Sequence, residues 1–218
     1  MSLDLFAHPF SSYCQKVLIA FYENATPFSY RMLGPDHPEN GAAFAEAWPV
    51  GKFPLLVDDG RPVMESSTII EYLQHRHPGP VRFIPADPDA ALEARMLDRI
   101  FDNHVMHHMQ RVVNDALRPP ERRDPIEVAE AKAALDKAYG WLNRHLDGRE
   151  WAVGDFSLAD CAAAPALFYA DWVHPIAEAY SSLRAYRARL LARPSFARAV
   201  DEARPYRAYF PLGAPDRD

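Results

Sequence analysis

One stretch, Gly51 to Leu73, constrains this chain more than any other: G-K-F-P-L-L-V-D-D-G-R-P-V-M-E-S-S-T-I-I-E-Y-L. Leu55-Leu56-Val57 is a short apolar strand introduced by Pro54, and a proline is tolerated only where the ladder does not need the N–H it lacks. Asp59-Gly60 reads as a tight turn and Arg61 to Met64 as the returning strand. Glu65-Ser66-Ser67-Thr68 then leads into Ile69, Ile70 and Leu73, the apolar spacing of a helix start. If the Phe53-Pro54 bond is cis, the backbone of Phe53 turns outward and pairs with an extended, peptide-like ligand as an added strand does. The helix N-terminus offers free N–H groups and partial positive charge to a carboxylate. The adjacent Glu65 suits an ammonium. Together these groups are fitted to an α-amino-acid head on an extended chain.

Taken singly, an X-Pro pair before a strand or a Glu-Ser pair before a helix is commonly a feature of folding alone. In tandem at hairpin spacing they are far more specific. A zwitterionic head beside a backbone-pairing strand describes glutathione, and the stretch resembles the glutathione-binding half of the cytosolic glutathione transferases. The resemblance implies that Phe53 and Pro54 form the cis-proline pair contacting the cysteinyl backbone, that Glu65 and Ser66 hold the γ-glutamyl group, and that Lys52 joins them. It also implies glutathione as co-substrate and a role in detoxification.

The rest of the chain can be read in order. Leu3, Leu5 and Ala7 alternate as a first strand, stopped by His8-Pro9. Ser11 and Ser12 are cap residues for a helix carrying Val17, Leu18, Phe21 and Tyr22. Phe28 to Leu33 reads as a second strand, and Pro38 to Trp48 as a weaker helix closed by Pro49. With the opening stretch the order is β-α-β-α-β-β-α, which resembles the thioredoxin-like plan of the family's N-terminal domain.

The run H-P-G-P-V-R-F-I-P-A-D-P from His77 has four prolines and a glycine, so neither helix nor strand persists through it. The expected division is residues 1–77 as the glutathione-binding domain, 78–88 as linker and 89–218 as an all-helical domain forming the electrophile site: α/β followed by all-α. Beyond the linker, Leu92, Met96, Ile100, Val105, Met109 and Val112 predict one long helix with a core stripe. Asp124-Pro125 is a cap and first position for the next, and Ser157-Leu158-Ala159-Asp160 resembles the family's capping box, with a role in stability rather than chemistry. Shorter helices follow at Leu183 to Leu191 and Phe196 to Ala203, the second capped by Ser195.

Composition excludes several classes. A net charge of -6 over 218 residues argues against a nucleic-acid or anionic-membrane partner, whose footprint is a basic surface. No apolar run approaches the roughly 18–20 residues of a membrane span. Two cysteines, Cys14 and Cys161, without C-x-x-C spacing fit a reducing, cytoplasmic compartment. His104, His107 and His108 can share a helix face, but no carboxylate or cysteine sits at ligand spacing, and no metal is expected.

Classes within the family differ in using tyrosine, serine or cysteine at the catalytic corner. Phe6-Ala7-His8 ends the first strand without a tyrosine, and Ser11-Ser12-Tyr13-Cys14 resembles the serine-type start of the theta, delta and zeta classes. Its third position departs from the zeta pattern S-S-C, which argues against zeta-type isomerase activity. Ser11 holds the position of thioredoxin's attacking cysteine, with Ser12 a near rival for the sulfur because a helix start is uncertain by one or two residues. Cys14, one turn inside, reads as a buried apolar residue. His104, His108, Arg111, Phe10, Tyr13, Tyr206, Tyr209 and Phe210 are candidates for the second substrate, or for packing alone.

The function expected is a glutathione transferase in which the bound thiolate attacks an apolar electrophile or reduces an organic peroxide. Lowering the thiol by two units from about 8.5 requires about 2.7 kcal/mol. A hydroxyl hydrogen bond to the thiolate supplies about 1.5–3 kcal/mol and a helix terminus about 0.3–1 kcal/mol. The alternatives are a thiol transferase using Cys14, or a binding module that keeps the fold without turnover. A homodimer is expected from the resemblance.

Overall fold

The structure, a computed structural model, describes residues 2–218. Strands β1 (Leu3–Ala7), β2 (Ser29–Met32), β3 (Leu55–Asp58) and β4 (Arg61–Met64) form a sheet in the order β2-β1-β3-β4. The β1 and β2 strands are parallel, joined through helix α1 (Ser12–Glu23), and the other two pairings are antiparallel. Helix α2 (Pro38–Ala47) closes one face, where Phe6, Phe44 and Leu55 form a small separate core. Helix α3 (Ser66–Arg76) follows β4 directly. The result is a thioredoxin-like βαβαββα domain in the expected order.

The β3–β4 turn is Asp59-Gly60 with φ of 45° and 85°. Both central residues are left-handed, as a type I′ hairpin requires, and glycine adopts that conformation without strain. This turn fixes the register, pairing Leu55 with Met64. Pro54 is thereby brought level with Glu65 across the hairpin.

Residues 77–87 contain no helix or strand, and a second, all-helical domain follows. It contains α4 (Pro88–Ile100), α5 (His107–Leu117), α6 (Pro125–His145), α7 (Leu158–Val173), α8 (Ser181–Ala192) and α9 (Pro194–Ala203). Asp124 caps α6 by accepting from the N–H of Ile126 and Glu127 at 2.9 and 3.1 Å. The Asp160 carboxylate accepts from the Ser157 N–H at 2.8 Å and hydroxyl at 3.1 Å, and also from Ala152 and Tyr186. Every residue of α7 is buried. It is the central pillar of the domain, with α1 packed along it, so one apolar core runs through both domains.

Two expectations fail here. The long helix is not one regular helix: Phe101–Met106 between α4 and α5 is π-helical, with the His107 N–H bonding to the Asp102 carbonyl. A wider turn offsets every later residue from a 3.6-residue count. Before that turn the core face is also not the expected one: Leu92 and Met96 are 67% and 46% exposed, while Ala94, Leu97 and Phe101 fill the core. Ser195 is not a cap either. Helix α9 starts at Pro194, and the Ser195 hydroxyl reaches Glu23 of α1, which Arg193 also grips at 2.6 Å.

Candidate functional site

The main cleft lies between the domains, with a volume of about 460 Å³. Its floor comes from the start of α1, with Phe10, Ser11, Ser12 and Tyr13, and from the loop before β3, with Gly51, Lys52 and Phe53. Ser11 is the N-cap of α1, and its Oγ accepts from the Cys14 N–H at 3.4 Å. An oxygen accepting there keeps its own O–H free to donate. The loop ahead of it is braced from α7 and α1: Tyr169 donates to the Phe10 carbonyl at 2.9 Å and Gln15 to the Pro9 carbonyl at 3.0 Å.

The sequence-derived residues divide cleanly. Ser11, Lys52 and Phe53 line the cleft, with Phe53 41% exposed. The Phe53-Pro54 bond is cis, and Pro54 itself is buried beneath. Glu65 and Ser66 lie outside the cavity lining, just past the end of β4, where the hairpin register brings Glu65 level with Pro54. Glu65 has φ 67° and ψ 120°, a conformation that costs a non-glycine residue of order 1–3 kcal/mol and gathers at functional sites. Ser66 opens α3, whose first-turn N–H groups are the unpaired donors of a helix start.

Cys14 is fully buried, and burial pushes its thiol up to about 12, against weaker opposing hydrogen bonds from Ser11 and His8. It is neither accessible nor ionised near neutrality. Cys161 is equally buried. Burial and the neighbouring Asp102 carboxylate raise the Tyr13 phenol to about 12, so it remains a neutral donor.

Behind Tyr13 lies a buried charge cluster that sequence reasoning missed. Lys16 of α1, 1% exposed, bonds Asp98 at 2.5 Å, Asp102 at 2.8 Å and the Ser67 hydroxyl at 3.0 Å. Ser67 also donates to Asp98 at 2.9 Å, and Arg99 bonds Asp102 at 2.9 Å. The cluster ties the first turn of α3 to both α1 and α4. Two carboxylates in a helical domain carry no local signal that they share one lysine from the other domain.

The candidates for the outer wall divide between the cleft and packing elsewhere. Tyr209 and Phe210 line the cleft, but Tyr206 packs edge-on against His8 with ring centres 4.7 Å apart. His104 and His108 face a separate groove against α6, with Lys137 and Trp141. Arg111 also points to α6, pairing with Glu127 at 3.4 Å and Glu130 at 3.6 Å. The π-helical stretch explains this, because it turns Met109, Gln110, Val113, Asn114 and Leu117 into the cleft instead. The buried apolar residues Leu97, Phe101, Val105, Met109 and Val112 keep steps of three and four, so the sequence carried no signal of it. Among the described residues no three histidine, cysteine or carboxylate side chains gather as a metal site. Nor, among these residues, is any helix long and apolar enough to cross a membrane.

A thioredoxin-like domain and an all-helical domain with a cleft between them define the glutathione transferase architecture. Family models agree: residues 5–81 match the glutathione S-transferase N-terminal domain and residues 102–194 the C-terminal domain. The chain belongs to the cytosolic glutathione transferase family. A probable maleylacetoacetate isomerase of Vibrio cholerae is 30% identical over 217 residues, covering 94% of this chain and 98% of the relative. A stringent starvation protein A homologue of Coxiella burnetii is 26% identical, covering 92% of each. A glutathione S-transferase of Methylobacterium radiotolerans, solved with glutathione sulfonate, superposes with a TM-score of 0.79 at 29% identity, covering 92% of this chain and 95% of that one. One from Methylobacillus flagellatus, solved with glutathione bound, gives 0.78 at 26% identity, covering 91% and 98%.

Proposed function

We propose that this protein is a serine-type glutathione transferase, in which the thiol of bound glutathione is ionised at Ser11 and attacks an apolar electrophile or reduces an organic peroxide. The observation that carries the reading is the Ser11 hydroxyl, held at a helix N-terminus on the cleft floor that also includes the exposed Phe53, joined to Pro54 by a cis bond. Glutathione would extend along Phe53, above Pro54. Its ammonium would meet Glu65, and the neighbouring carboxylate of glutathione would accept from Ser66 and the N-terminal N–H groups of α3. Lys52, exposed at the rim, suits the glycyl carboxylate at the other end. The Ser11 O–H donates more strongly to the thiolate than to the thiol, so it lowers the thiol pKa. This transferase reading takes residues 1–77 as the glutathione domain, 78–88 as linker and 89–218 as the domain holding the electrophile.

The buried, raised thiol of Cys14 counts against a thiol transferase. Two free cysteines fit the cytoplasm. The exposed Leu92 and Met96 on α4 favour a homodimer, and light scattering at micromolar concentration should give twice the 24.7 kDa of one chain. A monomeric mass would refute that.

The central test replaces Ser11 and Cys14 separately. Thiolate absorbance of bound glutathione should titrate about one to two units higher in Ser11→Ala, because a charge-assisted bond worth about 1.5–3 kcal/mol is lost. Turnover should fall while glutathione affinity stays nearly constant. Cys14→Ser should change little. Lost turnover in the Cys14 variant alone, with a glutathione adduct on Cys14 in mass spectrometry, would transfer the role to the cysteine.

A further inference from the structure

We propose that the electrophile side of the cleft selects a neutral, flat molecule bearing a hydrogen-bonding oxygen, such as a nitro or carbonyl group, and that Gln110 and Asn114 are its specificity residues. The inference rests on the transferase reading and extends it to the substrate class.

The cleft is lined by aromatic rings, Phe10 and Tyr13 from the floor and Tyr169 and Tyr209 from the wall facing it. Flat rings gain there from offset and edge-on packing beyond the area they bury. Into this wall α5 projects two amides one turn apart, Gln110 and Asn114, joined by a 2.9 Å hydrogen bond from Gln110 Nε2 to Asn114 Oδ1. Joined in this way, the pair is held in place, and at least one amide NH2 remains free to donate to a ligand oxygen. Exchanging O and N in both amides leaves that conclusion unchanged.

The cationic side chains near this wall are held by carboxylates or face other surfaces: Arg99, near Tyr13, bonds Asp98 and Asp102, and Arg207, near Tyr169, bonds Asp218. Among the described residues lining the cleft Lys52 is the one cation, and it stands on the glutathione side. Arg111, adjacent to Gln110, is held by Glu127 and Glu130. His104 and His108 face the groove against α6. A carboxylate carried into the aromatic pocket would lose water without gaining a countercharge, which is costly. A nitro or carbonyl oxygen needs only the amide N–H.

Binding of three ligands by calorimetry tests this without requiring turnover: glutathione, S-(nitrobenzyl)glutathione and S-(carboxybenzyl)glutathione. The nitrobenzyl compound should bind more tightly than glutathione and at least about tenfold more tightly than its carboxylate twin, the scale of one well-made hydrogen bond. Asn114→Leu and Gln110→Leu should each weaken the nitrobenzyl compound several-fold and leave glutathione unchanged. Asn114→Lys should narrow or invert the preference. Equal affinity for the two benzyl compounds, tighter binding of the carboxylate, or indifference to both leucine variants would overturn the proposal. If glutathione binds and neither benzyl compound improves on it, the specificity proposal alone falls. If glutathione itself does not bind, the transferase reading falls and this one with it.

Discussion

The floor of the cleft and its outer wall are built by different means. The floor is set by backbone: a cis Phe53-Pro54 bond and the N-terminus of α1, with the type I′ hairpin, the positive-φ Glu65 and the N-terminus of α3 beside them, all contributed by short contiguous segments. The wall is side chain: Gln110 and Asn114 from α5, Tyr169 from α7 and Tyr209 from the tail beyond α9. Backbone geometry can be kept while surface side chains change, so this architecture can hold one constant ligand and vary the second. The two are joined by the Lys16 cluster, which pins the first turn of α3 on the helices that lead to the wall.

Breaking that junction should have the largest effect. Lys16→Met leaves Asp98 and Asp102 short of their main countercharge, and removing one partner from a buried network costs about 3–5 kcal/mol. The midpoint of urea unfolding should fall accordingly, and glutathione affinity should fall with it, because Ser67 loses an anchor next to Ser66. A large stability loss with unchanged affinity would mean that the junction holds the fold but does not support the floor.

Glu65 separates floor from wall. Glu65→Ala should weaken glutathione by about 1–3 kcal/mol, the cost of leaving an ammonium unpaired. Glu65→Gly should weaken it similarly and raise the thermal midpoint, since glycine adopts φ 67° without strain. Neither should alter the preference between the two benzyl compounds. Unchanged glutathione affinity in both would reduce Glu65 to a strained residue without a ligand.

A smaller effect concerns the far end of α3, where Asp58 of β3 receives the Tyr72 hydroxyl at 2.9 Å and contacts His77 at 2.8 Å. The hydrogen bond from His77, then that from Tyr72, holds the Asp58 carboxyl below the usual carboxylate range, against desolvation. Its folded pKa lies below its unfolded value near ~3.9, so its stabilisation is present above that value and is lost as pH falls through the folded pKa. Asp58→Asn should therefore cost about 0.5–1.5 kcal/mol at neutral pH. The difference from the unmodified protein should shrink in acid. A difference that grows on acidification would contradict the assignment.

Much of the floor was legible because it is local. Asp59-Gly60 requires a tight turn, the turn sets the pairing, and the pairing carries Pro54 to Glu65, all within one short stretch. Ser11 at the start of α1, Asp124 before α6 and the Ser157–Asp160 pair were readable for the same reason: a cap bonds to backbone two or three residues away. Ser195 misled because its hydroxyl chose a carboxylate 172 positions away over its own helix.

What the sequence determined by itself was the order of elements, the hairpin, most helix ends and the placing of Ser11, Lys52 and Phe53 on one cleft, since each follows from turn chemistry, apolar period or capping over a few residues. The tertiary structure decided which face of the α4–α5 rod meets the cleft, through a π-helical stretch that a 3.6-residue count cannot anticipate. It also decided that Lys16 is buried among carboxylates 82 and 86 positions along the chain, Asp98 and Asp102, taking those separations from the residue numbers. Local chemistry fixes what a segment becomes, whereas the partner of a side chain is set by packing between segments that the sequence keeps far apart.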